Sequence, residues 1–311
     1  MPELTMLEAS KLSQDVVERA VSKIIVEKSP MLEIIPQKGI NGGTYRYTLE
    51  AHLGTVAFRG VNGSYTPNNG VINPQFESLV ILGGEVKIDK YIVDVQSNMV
   101  DAKRQYYGMK ARAFGLYYSE QFIEGDTAVN PFGFDGIRKR AAGNQLLAQT
   151  SGGVTLTLDM LDLLLDSVVG ENSEKMLIMN KTMRRKITAL SRVGGAGQQI
   201  VYKSDSLMGY NRQLAYYADA PIRVIERDDD ASTFLGFDED DGGGDLNTTS
   251  IYCFRAGMDF IHGIMHGSLP TVEDFPPGQP GPFYIGRIEG YMGIVWKHPR
   301  SAARLSRINN A

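Results

Sequence analysis

The stretch from Thr44 to Tyr91 constrains this chain most. Apolar and polar residues alternate along two arms, as at Tyr45, Tyr47 and Leu49, which is the period of a strand with one covered face. A polar tip rich in Gly, Asn and Pro, from Gly60 to Asn73, separates the arms. Such a hairpin has almost nothing of its own to bury. It is stable only when something covers it, and we expect that cover to be another copy of the chain.

An amphipathic helical pattern follows the hairpin, from about Asn98 to Glu124. One face of this pattern is apolar and consists of Val100, Tyr107, Ala111, Phe114, Tyr118 and Phe122. At 1.5 Å per residue the predicted helix is a rod of roughly 40 Å. Gly108 and Gly115 lie near one face of it, which predicts close approach of another backbone, with simple weak points in the helix as the alternative.

The chain before the hairpin is predicted to form an arm that packs on a neighbouring molecule. An apolar stripe at helical spacing includes Leu12, Val16, Ala20 and Ile24. The helix is expected to end at Ser29-Pro30, because the residue before proline is pushed out of the helical region. Met31 to Pro36 would then continue as an extended apolar strip.

Two dipeptides that contain glycine are interpreted as breaks in strands. Gly83-Gly84 is predicted to interrupt the return arm of the hairpin and to act as a flexible point, because glycine tolerates backbone angles that other residues do not. Near the C-terminus, Glu289-Gly290 is predicted to join two strands, Phe283 to Ile288 and Tyr291 to Trp296.

From Thr155 the pattern changes to α/β. We predict a helix capped by Thr157, a strand from Met176 to Met179, and a basic helix from Thr182 to Arg192 with Asn180 as its cap. The basic helix includes Arg184, Arg185 and Lys186 and is interpreted as a solvated face, with contact to nucleic acid as the alternative. Further strands are predicted at Tyr216 to Tyr217, Ile222 to Ile225 and Ser250 to Phe254.

Composition excludes several classes of protein. The 311 residues carry a formal net charge of −4, which argues against a dedicated nucleic-acid binder. Cys253 stands alone in an apolar run and is interpreted as a small buried hydrophobe, consistent with folding in reducing surroundings. The apolar stretch from Leu156 to Val169 contains three aspartates, so no membrane span is predicted. No basic and apolar secretory signal stands at Met1-Pro2-Glu3-Leu4, so synthesis and retention in the cytoplasm are expected.

No motif predicts a catalytic, cofactor-binding or metal-binding residue. His262 and His266 are four apart, but Gly263 and Gly267 disfavour a helix there and no third ligand stands nearby; the other histidines are His52 and His298. The glycines from Gly194 to Gly197 follow a helix, where a phosphate loop would precede one, so they are interpreted as a linker. The acidic residues from Asp238 to Asp245 do not have the spacing of a calcium loop and are interpreted as a solvated loop.

Together, the order of these parts resembles the major capsid protein of tailed bacteriophages, with the Hong Kong 97-type fold. Four local stretches carry the likeness: Gly133-Phe134-Asp135-Gly136-Ile137 after the long helix, Leu177-Ile178-Met179-Asn180 with Met183-Arg184-Arg185, Tyr217-Ala218-Asp219-Ala220-Pro221-Ile222, and Gly290-Tyr291 with the run from His298 to Leu305. The last stretch is similar to the closing strand of that family's peripheral domain.

The resemblance implies an α+β fold divided into five segments. These are an N-terminal arm (1–43), an extended β-hairpin loop (44–90), a peripheral domain with a long spine helix (91–154), an axial α/β domain (155–265) and a return to the peripheral domain (266–311). Some members of the family cross-link a loop lysine to an asparagine of a neighbour. Lys87 and Lys90 lie at the base of this loop, away from its tip, so that chemistry is not expected here.

The function that the resemblance implies is structural and not enzymatic. The chain would self-assemble as pentamers and hexamers into an icosahedral head around phage double-stranded DNA, which it would contact non-specifically on the inner face. Portal and scaffolding or cement proteins would be further partners, and the head would be assembled in the host bacterial cytoplasm. No cofactor and no membrane contact are expected. The alternatives are an encapsulin-type nanocompartment shell and a metal-dependent α/β hydrolase that uses the loop from Asp238 to Asp245.

Overall fold

A computed structural model gives the structure of the chain. It describes residues 20–21, 23–25, 29–52, 54–91, 99–193, 200–205, 212–225, 234–267, 270–275 and 282–310. The helices are α1 (Pro30–Ile34), α2 (Met99–Glu124), α3 (Ile137–Arg140), α4 (Leu158–Ser167) and α5 (Lys181–Val193), with short 3₁₀ turns at Gly143–Gln145 and Asn172–Glu174. The strands are β1 (Gln37–Gly39), β2 (Thr44–His52), β3 (Val71–Ser78), β4 (Val80–Asp89), β5 (Leu146–Ala148), β6 (Lys175–Met179), β7 (Ile200–Asp205), β8 (Arg212–Tyr217), β9 (Ala220–Val224), β10 (Glu239–Asp240), β11 (Leu246–Arg255), β12 (Ile261–Met265), β13 (Thr271–Phe275), β14 (Phe283–Trp296) and β15 (Ala302–Asn309).

The described strands form two large sheets and one separate hairpin. In the first sheet the long strand β14 pairs with β4 on one side and with β13 and β12 on the other, and β1 continues the sheet beyond β12. The second sheet has the order β5-β15-β11-β6-β9-β8-β7, with β10 on the end of β11. Strands β2 and β3 pair only with each other.

The spine helix α2 occupies the core that the two large sheets share. Its predicted apolar face is confirmed at Tyr107, Ala111, Phe114, Tyr118 and Phe122, all of which are buried; the side chain of Val100 lies outside the described residues. The core cluster around this face includes side chains from β4 and β14 of the first sheet and from β6 and β11 of the second. One helix therefore connects the hydrophobic interiors of both sheets.

A close backbone approach to the spine helix is confirmed at Gly115. A Cβ atom at this position would lie 2.6 Å from the carbonyl oxygen of Ile25, whereas one at Gly108 would meet only the Ile24 side chain at 3.9 Å. Beside Gly115, the hydroxyls of Ser119 and Ser29 are 2.8 Å apart in a buried hydrogen bond. The segment before α1 is thus seated on this chain's own spine helix at that point.

The extended strip predicted from Met31 to Pro36 is wrong, because the chain turns into helix α1. The Ser29 hydroxyl accepts a hydrogen bond from the Leu32 N–H and caps the helix, and Pro30 occupies its first turn. Proline is tolerated there because its missing N–H would have no partner in the helix in any case. Ser29-Pro30 therefore begins helix α1.

Both strand breaks predicted at the dipeptides Gly83-Gly84 and Glu289-Gly290 are also wrong. Strands β4 and β14 run without interruption, and the two pairs lie opposite each other in one antiparallel ladder, with Gly83 across from Glu289 and Gly84 across from Ile288. A Cβ atom at Gly83 would lie 2.6 Å from the Ile288 oxygen, and one at Gly290 would lie 3.3 Å from the Phe114 ring. These glycines permit close packing inside a sheet, and the ladder supplies the hydrogen bonds that hold the strands together.

The predicted α/β pattern is confirmed in its elements. The Thr157 hydroxyl accepts from the Met160 N–H at the start of α4, and the side-chain amide oxygen Oδ1 of Asn180 accepts from the Met183 N–H at 2.8 Å at the start of α5. The strands predicted near residues 176, 216, 222 and 250 correspond to β6, β8, β9 and β11. Residues 194–199 and 276–281 lie outside the described part of the chain, so the glycine linker stays a prediction.

Strand β15 lies in the second sheet, between β11 and β5, and not beside β14. It pairs antiparallel with β11 from Thr248 to Phe254. The chain therefore leaves the first sheet after Trp296 and ends in the sheet that also contains β6 and β9. The five-segment division of the chain remains a prediction.

Candidate functional site

The most exposed part of the described chain is the tip of the β2–β3 hairpin. The ladder runs from the pair Thr44–Ser78 to the pair His52–Val71, and beyond it residues 54–70, called the excursion tip from here on, are all exposed to solvent. Four of the exposed side chains are large and apolar: Val56, Phe58, Val61 and Tyr65. Arg59 is the one charged residue of the tip.

Such exposure is unfavourable in an isolated molecule. Phe58 is 107% exposed and Val56 99%, compared with the extended-chain reference. Burying each side chain of this kind is worth roughly 1.5–3 kcal/mol. A lone two-stranded hairpin is marginally stable at best, and clustered exposed apolar groups mark interaction surfaces. The excursion tip is therefore a surface whose burial must come from outside the described residues.

The hairpin is anchored to the rest of the chain at its lower end. Here Tyr47 is buried together with Ile264 of β12 and Val295 of β14, and Tyr45 and Leu79 pack against this small cluster. These two tyrosines, Glu77 and Leu79 are called the excursion root. The hairpin thus covers a patch of the first sheet at its root, while its tip extends away from that cover.

A bidentate ion pair ties the root to α3. The two terminal nitrogens of Arg140 donate to the two carboxylate oxygens of Glu77 at 2.7 and 3.0 Å, and both side chains are largely buried. The Tyr47 hydroxyl donates to the same carboxylate at 3.4 Å. Burial and the nearby Glu77 charge raise the pKa of Tyr47 to about 12, so its hydroxyl stays protonated and available as a donor. Because the Arg140 guanidinium and the Glu77 carboxylate are both planar and share two hydrogen bonds, the pair fixes the orientation of the root relative to α3 as well as its distance.

An open cleft of about 1040 Å³ lies beside the root, between the hairpin and the end of β14. Its lining includes Phe76, Asp135, Trp296 and Arg300. The charged groups in it are already engaged: Asp135 accepts from the Lys139 ammonium at 2.8 Å, and the Arg300 guanidinium donates to backbone oxygens of Asp166 and Ser167. These charged groups therefore bind other segments of the chain, which is a structural role.

The structure separates the histidines that the sequence analysis considered. His262 lies within β12 and is fully buried, with its ring edge-on to Tyr45 at 5.9 Å, and neither of its ring nitrogens has a hydrogen-bond partner within the described structure. His266 follows β12, where its Nδ1 lies 3.2 Å from the Ile40 oxygen, and His298 lies beside Phe260. The side chain of His52 is not among those described. Within the described residues no group of three or more His, Cys, Asp or Glu side chains could hold a metal ion.

The interpretation of the acidic segment as a solvated loop is partly wrong. Glu239 and Asp241 are buried. The Glu239 carboxylate accepts from the Ser250 hydroxyl and from the Arg304 guanidinium at 2.8 Å. Asp241 accepts from the backbone N–H groups of Gly243 and Asp245. These carboxylates stabilise the edge of the second sheet, and no sequence signal links Glu239 to an arginine 65 positions away.

Two further interpretations of the sequence concern Cys253 and membrane-spanning segments. Cys253 is fully buried in β11, and this burial raises the pKa of its thiol to about 12, so the prediction of a small buried hydrophobe is confirmed. Among the described helices, none combines the length and the apolar character that a membrane span requires.

Comparison with known proteins identifies the fold. No protein-family model matches the chain, and no curated protein is similar to it in sequence. Among solved structures, the holo-SrpI encapsulin complex from Synechococcus elongatus PCC 7942 is similar over 90% of this chain and 88% of its own, with 15% identity and a TM-score of 0.66. The capsid of a native GTA particle (12% identity, TM-score 0.64) and Microbacterium phage Oxtober96 (10%, 0.61) are each similar over 90% of both chains.

The α+β fold of the Hong Kong 97 type, which the order of sequence elements implies, is therefore confirmed over nine-tenths of the chain. The hairpin and the long spine helix are two of the elements whose order along the sequence resembles that family.

Proposed function

We propose that this chain is a shell-forming structural subunit, the major capsid protein of a tailed bacteriophage. The observation that carries the proposal is the excursion tip, an exposed run with four large apolar side chains on a hairpin that is anchored at its root. The proposed cover for the tip is the neighbouring copy of the chain. The fold shared with a phage capsid and a GTA particle capsid supports the same assignment.

In this proposal the subunits associate as pentamers and hexamers through the axial segment. The shell encloses double-stranded DNA, with which its inner face makes non-specific contact. Portal and scaffolding or cement proteins complete the head, which is assembled in the bacterial cytoplasm and ends in the virion. The mildly acidic chain favours a wall that does not grip the DNA, since like charges repel.

An encapsulin-type nanocompartment is the second candidate, favoured by the similarity to the encapsulin complex. Particles isolated from the native source distinguish the two. Nuclease-resistant double-stranded DNA inside the shell is expected for a capsid, and a protein cargo without such DNA is expected for a nanocompartment.

Electron microscopy of the purified chain, with a tip variant alongside, tests the proposal. We expect rings or closed particles from the native chain. Phe58→Ser is expected to raise the protein concentration at half-assembly by ten- to hundredfold, because an apolar contact of roughly 1.5–3 kcal/mol is lost at each interface. Arg59→Ser changes the neighbouring exposed residue without removing a large apolar side chain and serves as the control. A native chain that stays monomeric at all concentrations would contradict the proposal.

A further inference from the structure

Two helices of the second sheet carry opposite charges on the faces that they turn away from the sheet. Helix α4 buries Leu161, Leu164 and Leu165, and helix α5 buries Met183 and Ile187. All five side chains belong to one core cluster. That cluster also contains alternate residues of β6, β11 and β15. Apolar residues next to them in these strands point to the other face of the sheet and belong to the core around the spine helix. Both helices therefore lie on the same face of the sheet, opposite the spine helix.

The outward face of α4 is acidic. Asp159, Asp162 and Asp166 are exposed, with Leu163 among them at 55% exposure. The spacing of these positions places them on one side of the helix. The helix contains no basic residue. Asp162 also accepts a hydrogen bond from the Tyr217 hydroxyl at 2.7 Å.

The outward face of α5 is basic. Lys181, Arg184, Arg185 and Arg192 are exposed and recur at helical spacing, with Ala189 between the last two. The helix contains no acidic residue. A small residue in the middle of a basic face leaves room for side chains from another molecule to approach the helix.

Five of the charges on these two faces form no ion pair within the described chain. No ion pair between described residues involves Asp159, Asp166, Arg184, Arg185 or Arg192. Like charges three or four residues apart on a helix destabilise it by roughly 0.2–0.5 kcal/mol per pair. Each one-signed face therefore has free energy to gain when a face of the opposite sign is brought against it.

The two faces are displaced sideways from each other. Helix α4 packs against β15 and α5 against β9, and β11 and β6 lie between those strands. At the usual spacing of neighbouring strands the separation is roughly 14 Å, somewhat more than one helix diameter. A surface that carries both signs side by side is complementary to a displaced copy of itself.

We propose that the acidic face of α4 in one copy docks on the basic face of α5 in the next copy. The two partners use different patches, so the contact is heterologous, and repetition of such a contact produces a ring when the rotation closes. The inference rests on the proposed function, because it assigns one contact of the assembling shell. Nucleic acid is the less favoured occupant of α5, since the acidic face of α4 beside it would repel a polyanion.

Charge reversal tests the contact. In D159K/D166K both faces are basic, and in R184E/R185E/R192E both are acidic; Asp162 is kept because it holds Tyr217. Each variant alone is expected to need at least tenfold more protein for half-assembly in sedimentation velocity. The combined variant, with both faces reversed, should recover most of the loss. An equimolar mixture of the two single-face variants should also recover it, and strict alternation then allows only rings with an even number of subunits, which native mass spectrometry detects.

Matched controls separate this contact from general charge effects. Glu171→Lys and Arg112→Glu make the same kinds of change at exposed positions outside the two faces and should assemble like the native chain. Urea midpoints confirm that each subunit is folded, and the milder D166K and R192E carry the test if a multiple variant is destabilised. Normal assembly of both single-face variants overturns the contact while the proposed shell function stands. A basic-face variant that assembles normally but loses bound nucleic acid overturns it in favour of a nucleic-acid surface. Failure of the native chain to assemble overturns both proposals.

Discussion

The spine helix and the excursion tip both present large aromatic side chains, but to opposite surroundings. Phe122 of the helix is fully buried and lies edge-on to Phe254 with ring centroids 5.7 Å apart, whereas Phe58 of the tip is 107% exposed. Both sheets of the same chain cover the helix, and the described residues leave the tip uncovered. The difference separates a body stabilised by its own interior from an excursion whose apolar side chains have no cover among the described residues, a cover that the proposed assembly would supply.

The largest expected effect is a difference in the free energy of unfolding between two variants, each of which truncates one phenylalanine, in the helix or in the tip. Phe122→Ala should lower the free energy of unfolding of the unassembled subunit by about 3–5 kcal/mol, because it removes buried apolar surface and leaves a cavity. Phe58→Ala should change it by less than about 0.5 kcal/mol, because an exposed side chain loses few contacts. Urea unfolding at a concentration below assembly measures both values.

The protein concentration needed for half-assembly should respond to Phe58→Ala, although the free energy of unfolding does not. Phe58→Ala is expected to weaken association while leaving unfolding unchanged. If Phe58→Ala instead destabilised the isolated subunit by several kcal/mol, the tip would be packed on its own chain, and the contrast between the two regions would be lost.

A smaller effect is expected for two arginines, one at the excursion root and one at its tip. Arg140→Met removes the bidentate partner of the partly buried Glu77, so the free energy of unfolding should fall by about 2–3 kcal/mol. Arg59→Met is the matched control, since Arg59 lies at an exposed site, where it donates to the backbone oxygen of Gly63 and lies over the Tyr65 ring. Its effect should stay below about 0.5 kcal/mol.

Glu77→Gln completes a double-mutant cycle with Arg140→Met. The coupling energy isolates the ion pair from the general cost of each substitution. A coupling near zero would mean that the root is held by apolar packing alone, and that the carboxylate and the guanidinium only happen to be neighbours.

The features predicted correctly from sequence are those set by local pattern. The apolar face from Tyr107 to Phe122 follows from helical spacing, and the caps at Thr157 and Asn180 follow from side chains that can satisfy free N–H groups at a helix start. The alternation at Tyr45 and Tyr47 likewise predicts a strand. In each case the residues within a few positions contain the physical cause of the element.

The errors arise where a distant segment decides the outcome. Gly83-Gly84 and Glu289-Gly290 each look like a break when read alone, but each pair supplies the space that the other strand and the spine helix need. The same holds for Glu239, whose burial depends on Arg304. A glycine can break a strand or allow close packing within a sheet, and a carboxylate can be solvated or paired. Only the residues that pair with it from distant parts of the chain decide which of these occurs.

The smallest expected effect is the loss of folding stability at acidic pH that His262, which lies beside the root, would cause. Burial lowers the pKa of His262 to about 4, and the positive charges of Lys297 and Lys38 act in the same direction against the weaker opposing effect of Asp259. A histidine in the unfolded chain has a pKa of about 6.5. Between these two values the unfolded chain binds a proton that the folded chain does not, so stability is complete above about pH 6.5 and falls as the pH drops towards 4. At pH 5 the loss from this residue should be about 2 kcal/mol.

His262→Phe tests this acid sensitivity, because neither ring nitrogen has a hydrogen-bond partner to lose in the described structure and the edge contact with Tyr45 can be kept. The difference in unfolding free energy between pH 7.5 and pH 5 should shrink by about 2 kcal/mol in this variant. His266→Phe, on an exposed histidine just after the same strand, should retain the full difference. Carboxylates titrate equally in all three proteins, so comparing the differences removes their contribution. An unchanged acid sensitivity in His262→Phe would mean that the root does not respond to acid through this ring, and that anchoring of the excursion is independent of pH.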